Sequence, residues 1–226
     1  FGVFYSPNLT PDRKTGLGGW TDSDFSAALR HGRSPDGSPY YPVFPYPAYA
    51  GMSDADVAAI AAWLRSIPPV DNPVPAHELP WYLRSRWVML GWNLLFFDPQ
   101  PFQADSTRDA DWNRGAYLVR HLGHCGECHT PRNPFGARDD ALELAGNPDG
   151  PDGKKIPNIR KDREGGIGRW TIEDMLLFFE MGMLPDGDFT GSSMSAVIDD
   201  NTSQLTADDR RAIAVYLQSL APLDSP

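Results

Sequence analysis

The run Cys125-Gly126-Glu127-Cys128-His129 sets two thiols three residues apart with an imidazole directly behind them. Thiols at that spacing can add to the two vinyl groups of one porphyrin while the next side chain reaches the iron, which is the pattern of c-type haem attachment. Cys125 and Cys128 are the only cysteines in the chain, so two thioethers use the whole thiol inventory and leave none for a disulfide. On this reading Cys125 and Cys128 anchor haem c covalently and His129 is the proximal iron ligand. Other readings compete for the same residues. A thioredoxin-type redox pair needs a βαβ setting that the helix, Gly and Pro pattern here does not offer. A structural zinc site needs four ligands, and no second Cys or His pair stands at ligand spacing. A chance match without metal is weighed against the surrounding domain.

The elements that must position these groups show themselves through a repeat. At an offset of 150, Pro7-Asn8 meets Pro157-Asn158, Asp12 meets Asp162, Gly16 and Gly18 meet Gly166 and Gly168, and Trp20-Thr21 meets Trp170-Thr171. Asp24 meets Asp174, Gly32 meets Gly182 and Asp36-Gly37 meets Asp186-Gly187. After a three-residue shift, a helix from Ser53 to Ile67 matches one from Thr206 to Leu220, each followed by Pro. Two copies of one fold are therefore expected. Thr21 and Thr171, each with an acid three residues on, are N-cap candidates, and the helices they open should stop near Gly32 and Gly182. Ile213, Tyr216, Leu217 and Leu220 form one apolar stripe, as do Val57, Ile60, Leu64 and Ile67, and both belong to cores. The second copy opens with an extra part, from about Asp111 to Gly150, that holds a short helix (Asn113 to Leu122) and the haem motif. The matching first-copy motif is expected about 20 to 25 residues before Phe1.

The sequence predicts an all-α chain with domain 1 over residues 1–70, an inter-domain linker over 71–110 and domain 2 over 111–226. The linker, rich in Pro, Trp and Phe, is too apolar to be free and is expected to pack across both domains. With 41% apolar residues, 22 Pro and 21 Gly, the composition suits small helical cores joined by many turns. The net charge of −10 argues against nucleic acid and anionic membrane surfaces as partners. The longest apolar stretch, Trp87 to Phe97, is about half the roughly 20 residues a spanning helix needs, so no transmembrane segment is expected in this chain.

Further stretches carry a resemblance. Phe4-Tyr5-Ser6-Pro7-Asn8, Gly18-Gly19-Trp20, Tyr41-Pro42 with Phe44-Pro45-Tyr46, Asn113-Arg114-Gly115-Ala116-Tyr117-Leu118, Cys128-His129-Thr130-Pro131-Arg132, and Asp209-Arg210 with Tyr216-Leu217 occur in that order. The chain resembles the di- and trihaem class I cytochromes c that serve as electron-transfer subunits of bacterial periplasmic dehydrogenases. The resemblance implies two tandem class I cytochrome c domains, each wrapping one haem between N- and C-terminal helices that cross near Gly115. It also implies a dihaem protein, with one haem c bound covalently in this chain and a second attached through the earlier motif. No third haem domain and no C-terminal anchor are expected before Pro226.

A haem that only carries electrons needs two strong axial ligands. His129 supplies one, and Met194, between the two late helices, stands where the resembled family places its axial Met; a thioether there raises the potential relative to bis-His ligation. In the first copy Phe44 occupies the position of Met194 and cannot bind iron. Met52, which by the second offset matches Leu205, is taken as the first-haem ligand. Trp20 and Trp170 are candidates to donate their indole N–H to a haem propionate or to cap the core, and Arg132 to pair with a propionate. His31 is assigned a structural or surface role and His77 a solvent-facing one; His124 is too close to Cys125 to reach the opposite haem face, and His121 is kept as the alternative for bis-His ligation.

The function expected is a periplasmic electron carrier that takes electrons from a dehydrogenase and passes them to a downstream cytochrome or oxidase. Covalent haem attachment outside the cytoplasm sets the compartment. The rival is a dihaem enzyme, thiosulfate dehydrogenase-like or peroxidase-like, with an open or unusual haem ligand, and Phe44 keeps it in play.

Overall fold

A computed structural model describes residues 1–150 and 153–226. The chain divides into two units, Phe1–Phe102 and Gln103–Pro226. The first contains α1 (Asp22–His31), α2 (Tyr46–Tyr49), α3 (Asp54–Ser66) and α4 (Met89–Phe96). The second contains α5 (Ala110–Tyr117), α6 (Gly126–His129), α7 (Ile172–Met181), α8 (Ser193–Asp200) and α9 (Ala207–Ser219). Extended pairing among the described residues is confined to isolated bridges, so the fold is all-α. No helix among the described residues is long and apolar enough to cross a membrane.

The helix boundaries follow from caps. Thr21 accepts from the Asp24 amide and Asp24 returns a bond to the Thr21 amide; Thr171 and Asp174 do the same for α7. Both helices end on a glycine in the left-handed region, Gly32 (φ 58°) and Gly182 (φ 78°), where a Cβ would be strained. Ser53 and Thr206 cap α3 and α9, two helices of 13 residues each.

Equivalent loops close with equivalent bonds. The Leu17 amide donates to Thr10 O at 2.8 Å and the Ile167 amide to Arg160 O at 2.9 Å; the Tyr40 amide reaches Gly32 O and the Thr190 amide Gly182 O. Asn8 Nδ2 donates to Val70 O and Asn158 Nδ2 to Leu223 O, each at 2.8 Å. Both buried asparagines tie an early loop to the chain leaving the last helix of their own unit.

In the second unit α5 lies across α9. A Cβ on Gly115 would overlap the Ala212 carbonyl oxygen, so only glycine lets the backbones come this close. Arg114 grips Asp209 through two bonds of 2.7 and 2.9 Å, Trp112 Nε1 donates to Ser219 Oγ at 2.6 Å, and the Trp112 and Tyr216 rings meet edge to face. Tyr216 is fully buried there. Trp63, its counterpart on α3, is 63% exposed, and no helix equivalent to α5 covers it among the described residues.

Two elements differ from the sequence expectation. The helix read over Asn113 to Leu122 is α-helical only to Tyr117; residues Leu118–Leu122 form a π turn, because the Gly123 and Cys125 amides reach back to Leu118 O and Val119 O and widen the last turn. Of the stretch read as a linker over 71–110, residues 71–102 fold with the first unit. Val3 and Glu78 form a bridge, the Tyr41 hydroxyl donates to Leu83 O, Tyr46 hydroxyl donates to Asn93 Oδ1 at 2.5 Å, and the Phe102 amide donates to Gly51 O.

Candidate functional site

The haem motif occupies the turn after the π segment. His124 adopts φ 39°, a left-handed conformation tolerated by histidine more often than by most residues, and redirects the chain into α6. Helix α6 carries Gly126, Glu127, Cys128 and His129, and the His129 amide bonds to Cys125 O. Gly126 is buried against the Thr130 hydroxyl and the Arg138 guanidinium. Thr130, also buried, accepts from the Leu144 amide at 3.0 Å and holds Leu144 in a left-handed conformation (φ 62°) that a bulky residue rarely adopts.

The His129 ring is fixed by one bond. Its Nδ1 lies 2.8 Å from the Pro157 carbonyl oxygen. A carbonyl only accepts, so Nδ1 carries the proton and the lone pair is on Nε2, the tautomer a metal-binding histidine requires. Desolvation pushes the imidazole below the usual histidine range, opposed by the Pro157 bond, and the ring is neutral near pH 7.

Cys125 and Cys128 are not joined in a disulfide. Desolvation pushes Cys125 up to about 11, and desolvation with the Glu127 carboxylate raises Cys128 as well. Redox-active CxxC pairs work through a thiolate of lowered pKa. The shift here has the opposite sign, which removes support from the thioredoxin-type reading.

Around the motif, Arg132 donates to the Glu127 carboxylate at 2.5 Å and to Gly136 O at 2.8 Å, and Arg138 stands 3.4 Å from the other Glu127 oxygen. Arg132 thereby ties the loop after α6 back onto α6. Trp170 is half-buried, its ring edge-on to Phe178 and its carbonyl accepting from Gln218. Trp20 repeats this with Phe25 and Arg65. Met194 is half-buried in the first turn of α8, behind Ser192 at φ 63°. Met52 is buried immediately before the Ser53 cap of α3. Phe44 lies between the Tyr40 and Tyr49 rings. The second unit thus contains Cys125, Cys128, His129, Arg132, Trp170 and Met194, and the first contains Trp20 and Met52.

The residue that sequence reasoning left without a role is Pro157. Its signal was the match of Pro157-Asn158 to Pro7-Asn8 in the repeat, which marked the position and not the carbonyl that orients His129. Glu127, which gathers Arg132 and Arg138, gave no signal beyond lying between the two cysteines.

Over 225 residues the chain is 43% identical to the diheme cytochrome c-type of Cereibacter sphaeroides, covering 99% of this chain and 74% of that protein. The chain belongs to the dihaem c-type cytochromes. No family model matches this cytochrome. It is also 37% identical over 230 residues to the cytochrome c subunit of the quinone alcohol dehydrogenase of Gluconacetobacter polyoxogenes, and 37% identical over 235 residues to the gluconate 2-dehydrogenase cytochrome c subunit of Pantoea cypripedii. These alignments take in 98% and 99% of the cytochrome and 49% and 52% of the subunits, so it spans about half their length. Haem c is the cofactor of the family, and the residues present suit it. Cys125 and Cys128 flank a buried glycine, and the following imidazole is held by one nitrogen with the other left for a metal.

Proposed function

We propose that this cytochrome carries electrons in the periplasm, taking them from a dehydrogenase and delivering them to a downstream cytochrome or oxidase. The observation that carries the reading is the His129–Pro157 bond beside Cys125 and Cys128, in a chain whose relatives are named cytochrome c subunits of alcohol and gluconate dehydrogenases. Haem c, when bound, supplies reversible one-electron chemistry at iron. Cys125 and Cys128 would hold it through thioethers, and His129 Nε2 would ligate its iron. Pro157 makes that imidazole a stronger donor by sharing its Nδ1 proton. Met194 would supply a soft sulfur to the same iron, and Met52 would do so in the first unit, which we assign to a second haem. Trp20 and Trp170 stand at matched places, as a pair of indole donors to propionates would. Arg132 takes that part only by leaving Glu127, so its main role is to brace the motif.

Two strong side-chain ligands on each iron would suit a carrier, because no site would be open to substrate and little would rearrange on electron transfer. Phe44 in the place of Met194 favours a second reading, a dihaem enzyme with an open first iron. The carrier reading is tested by following the reduced haem band in cells given alcohol, gluconate or fructose, then air. The expected result is reduction by one of these substrates and reoxidation by oxygen. A band that stays oxidised with every substrate overturns it.

A further inference from the structure

Helix α4 carries one polar side chain, Asn93, and it faces inward. Its inward residues join the first unit: Met89 packs with Tyr41 and Leu79, Trp92 lies against that cluster, and Asn93 receives the Tyr46 hydroxyl. The outward positions, Trp87, Leu90, Gly91, Leu94 and Leu95, follow one another at i, i+3, i+4, i+7 and i+8 and are all exposed, Leu94 by 86% and Leu95 by 74%. The turn Trp81–Leu83 leads into this face with Trp81 81% exposed. An exposed helix normally turns charged residues outward, and this one turns none.

We propose that the outward face of α4, with Trp81 and Tyr82, is the surface on which a dehydrogenase's catalytic subunit docks, through an apolar patch with a neutral or basic rim; the inference rests on the carrier reading above. Three observations select this occupant. The exposed apolar side chains present on the order of 900 Å², above the largest patch of a typical monomer (about 300–600 Å²) and close to one partner's share of a stable interface (about 800 Å²). Residues 79–97 contain three Trp, one Tyr and two Arg but no Asp, Glu or Lys, which is the composition of an interface core. The charge then decides between partners. A second copy of the chain would set a net charge of −10 against −10. A lipid surface with anionic headgroups would repel a chain of net charge −10. An apolar protein surface with a neutral or basic rim satisfies both constraints.

The test places a photo-crosslinking residue at position 94 of the full chain in its native host, with position 14 as a polar control in the same unit, and identifies adducts by mass spectrometry. The expected adduct, at 94 and not at 14, is a dehydrogenase catalytic subunit. A second copy, lipid, another part of this chain, a protein that is not a dehydrogenase, or no adduct overturns the proposal. Leu94→Lys with Leu95→Lys, which should fold because both side chains are exposed, should slow substrate-driven haem reduction at least tenfold while reduction by dithionite and haem content stay unchanged. Equal rates for variant and wild type would refute docking here. Wild-type haem that no dehydrogenase substrate reduces would instead refute the carrier reading, so the two failures are distinct.

Discussion

Gly115→Ala is the sharpest probe of how the second unit is held together. A Cβ at that position would overlap the Ala212 carbonyl oxygen and crowd Tyr216 Cβ, so α5 and α9 must move apart. Separation loosens the Arg114–Asp209 and Trp112–Ser219 bonds and the Trp112–Tyr216 packing together. Helix propensity acts the other way, since alanine in place of glycine stabilises a helix interior by about 1 kcal/mol. Overpacking a backbone contact costs about 1–3 kcal/mol, and with three further contacts coupled to the crossing we expect a net loss of about 2 kcal/mol. For a unit of this size that is a fall in Tm on the order of 5–10 °C. The assay is thermal unfolding of the haem-loaded protein followed by circular dichroism and Soret absorbance. Gly91→Ala is the control, because a Cβ there meets nothing within 4 Å and should be neutral or mildly stabilising. The two substitutions should therefore shift Tm in opposite directions. If Gly115→Ala raises Tm as Gly91→Ala does, close packing at the α5–α9 crossing is refuted.

Two further predictions concern the Arg114–Asp209 pair and the two methionines. Hydrogen bonds and charge from Arg114 hold the Asp209 carboxyl below the usual carboxylate range. A depressed folded-state pKa contributes stability that is complete above about pH 4 and is lost as pH falls through the lower folded value. With Arg114 partly exposed the contribution is about 1 kcal/mol, so Asp209→Asn should cost roughly that at pH 7 and little at pH 2, measured by urea unfolding at both pH values. Met194→Leu should abolish the Met-sulfur-to-iron charge-transfer band of the second unit's haem and lower its potential, while Met52→Leu removes the corresponding band of the other; an unchanged band in either variant removes that methionine from its iron.

Much of this was legible in the sequence because caps and glycines act locally. Thr21, Asp24 and Gly32, and their partners Thr171, Asp174 and Gly182, fix helix ends by bonds spanning three or four residues, so their spacing could be read directly. The repeat paired Asn8 with Asn158, and the structure shows why both are asparagine: each ties its early loop to the exit of its last helix. What could not be read depends on contacts distant along the chain. The π turn at Leu118–Leu122 arises from amides beyond the helix reaching back, and periodicity alone does not report it. The tyrosine bonds that fold residues 71–102 onto the first unit run to Leu83 and Asn93 from Tyr41 and Tyr46. Pro157 acts through its backbone carbonyl, which any residue type provides.

The most direct test of the carrier reading is carbon monoxide binding to the dithionite-reduced, full-length protein at neutral pH. If His129 and Met194 hold one iron and Met52 serves the other as proposed, the Soret band should be unchanged on adding the gas. Ready formation of a carbon monoxide adduct would show an open iron and contradict the account in favour of an enzyme.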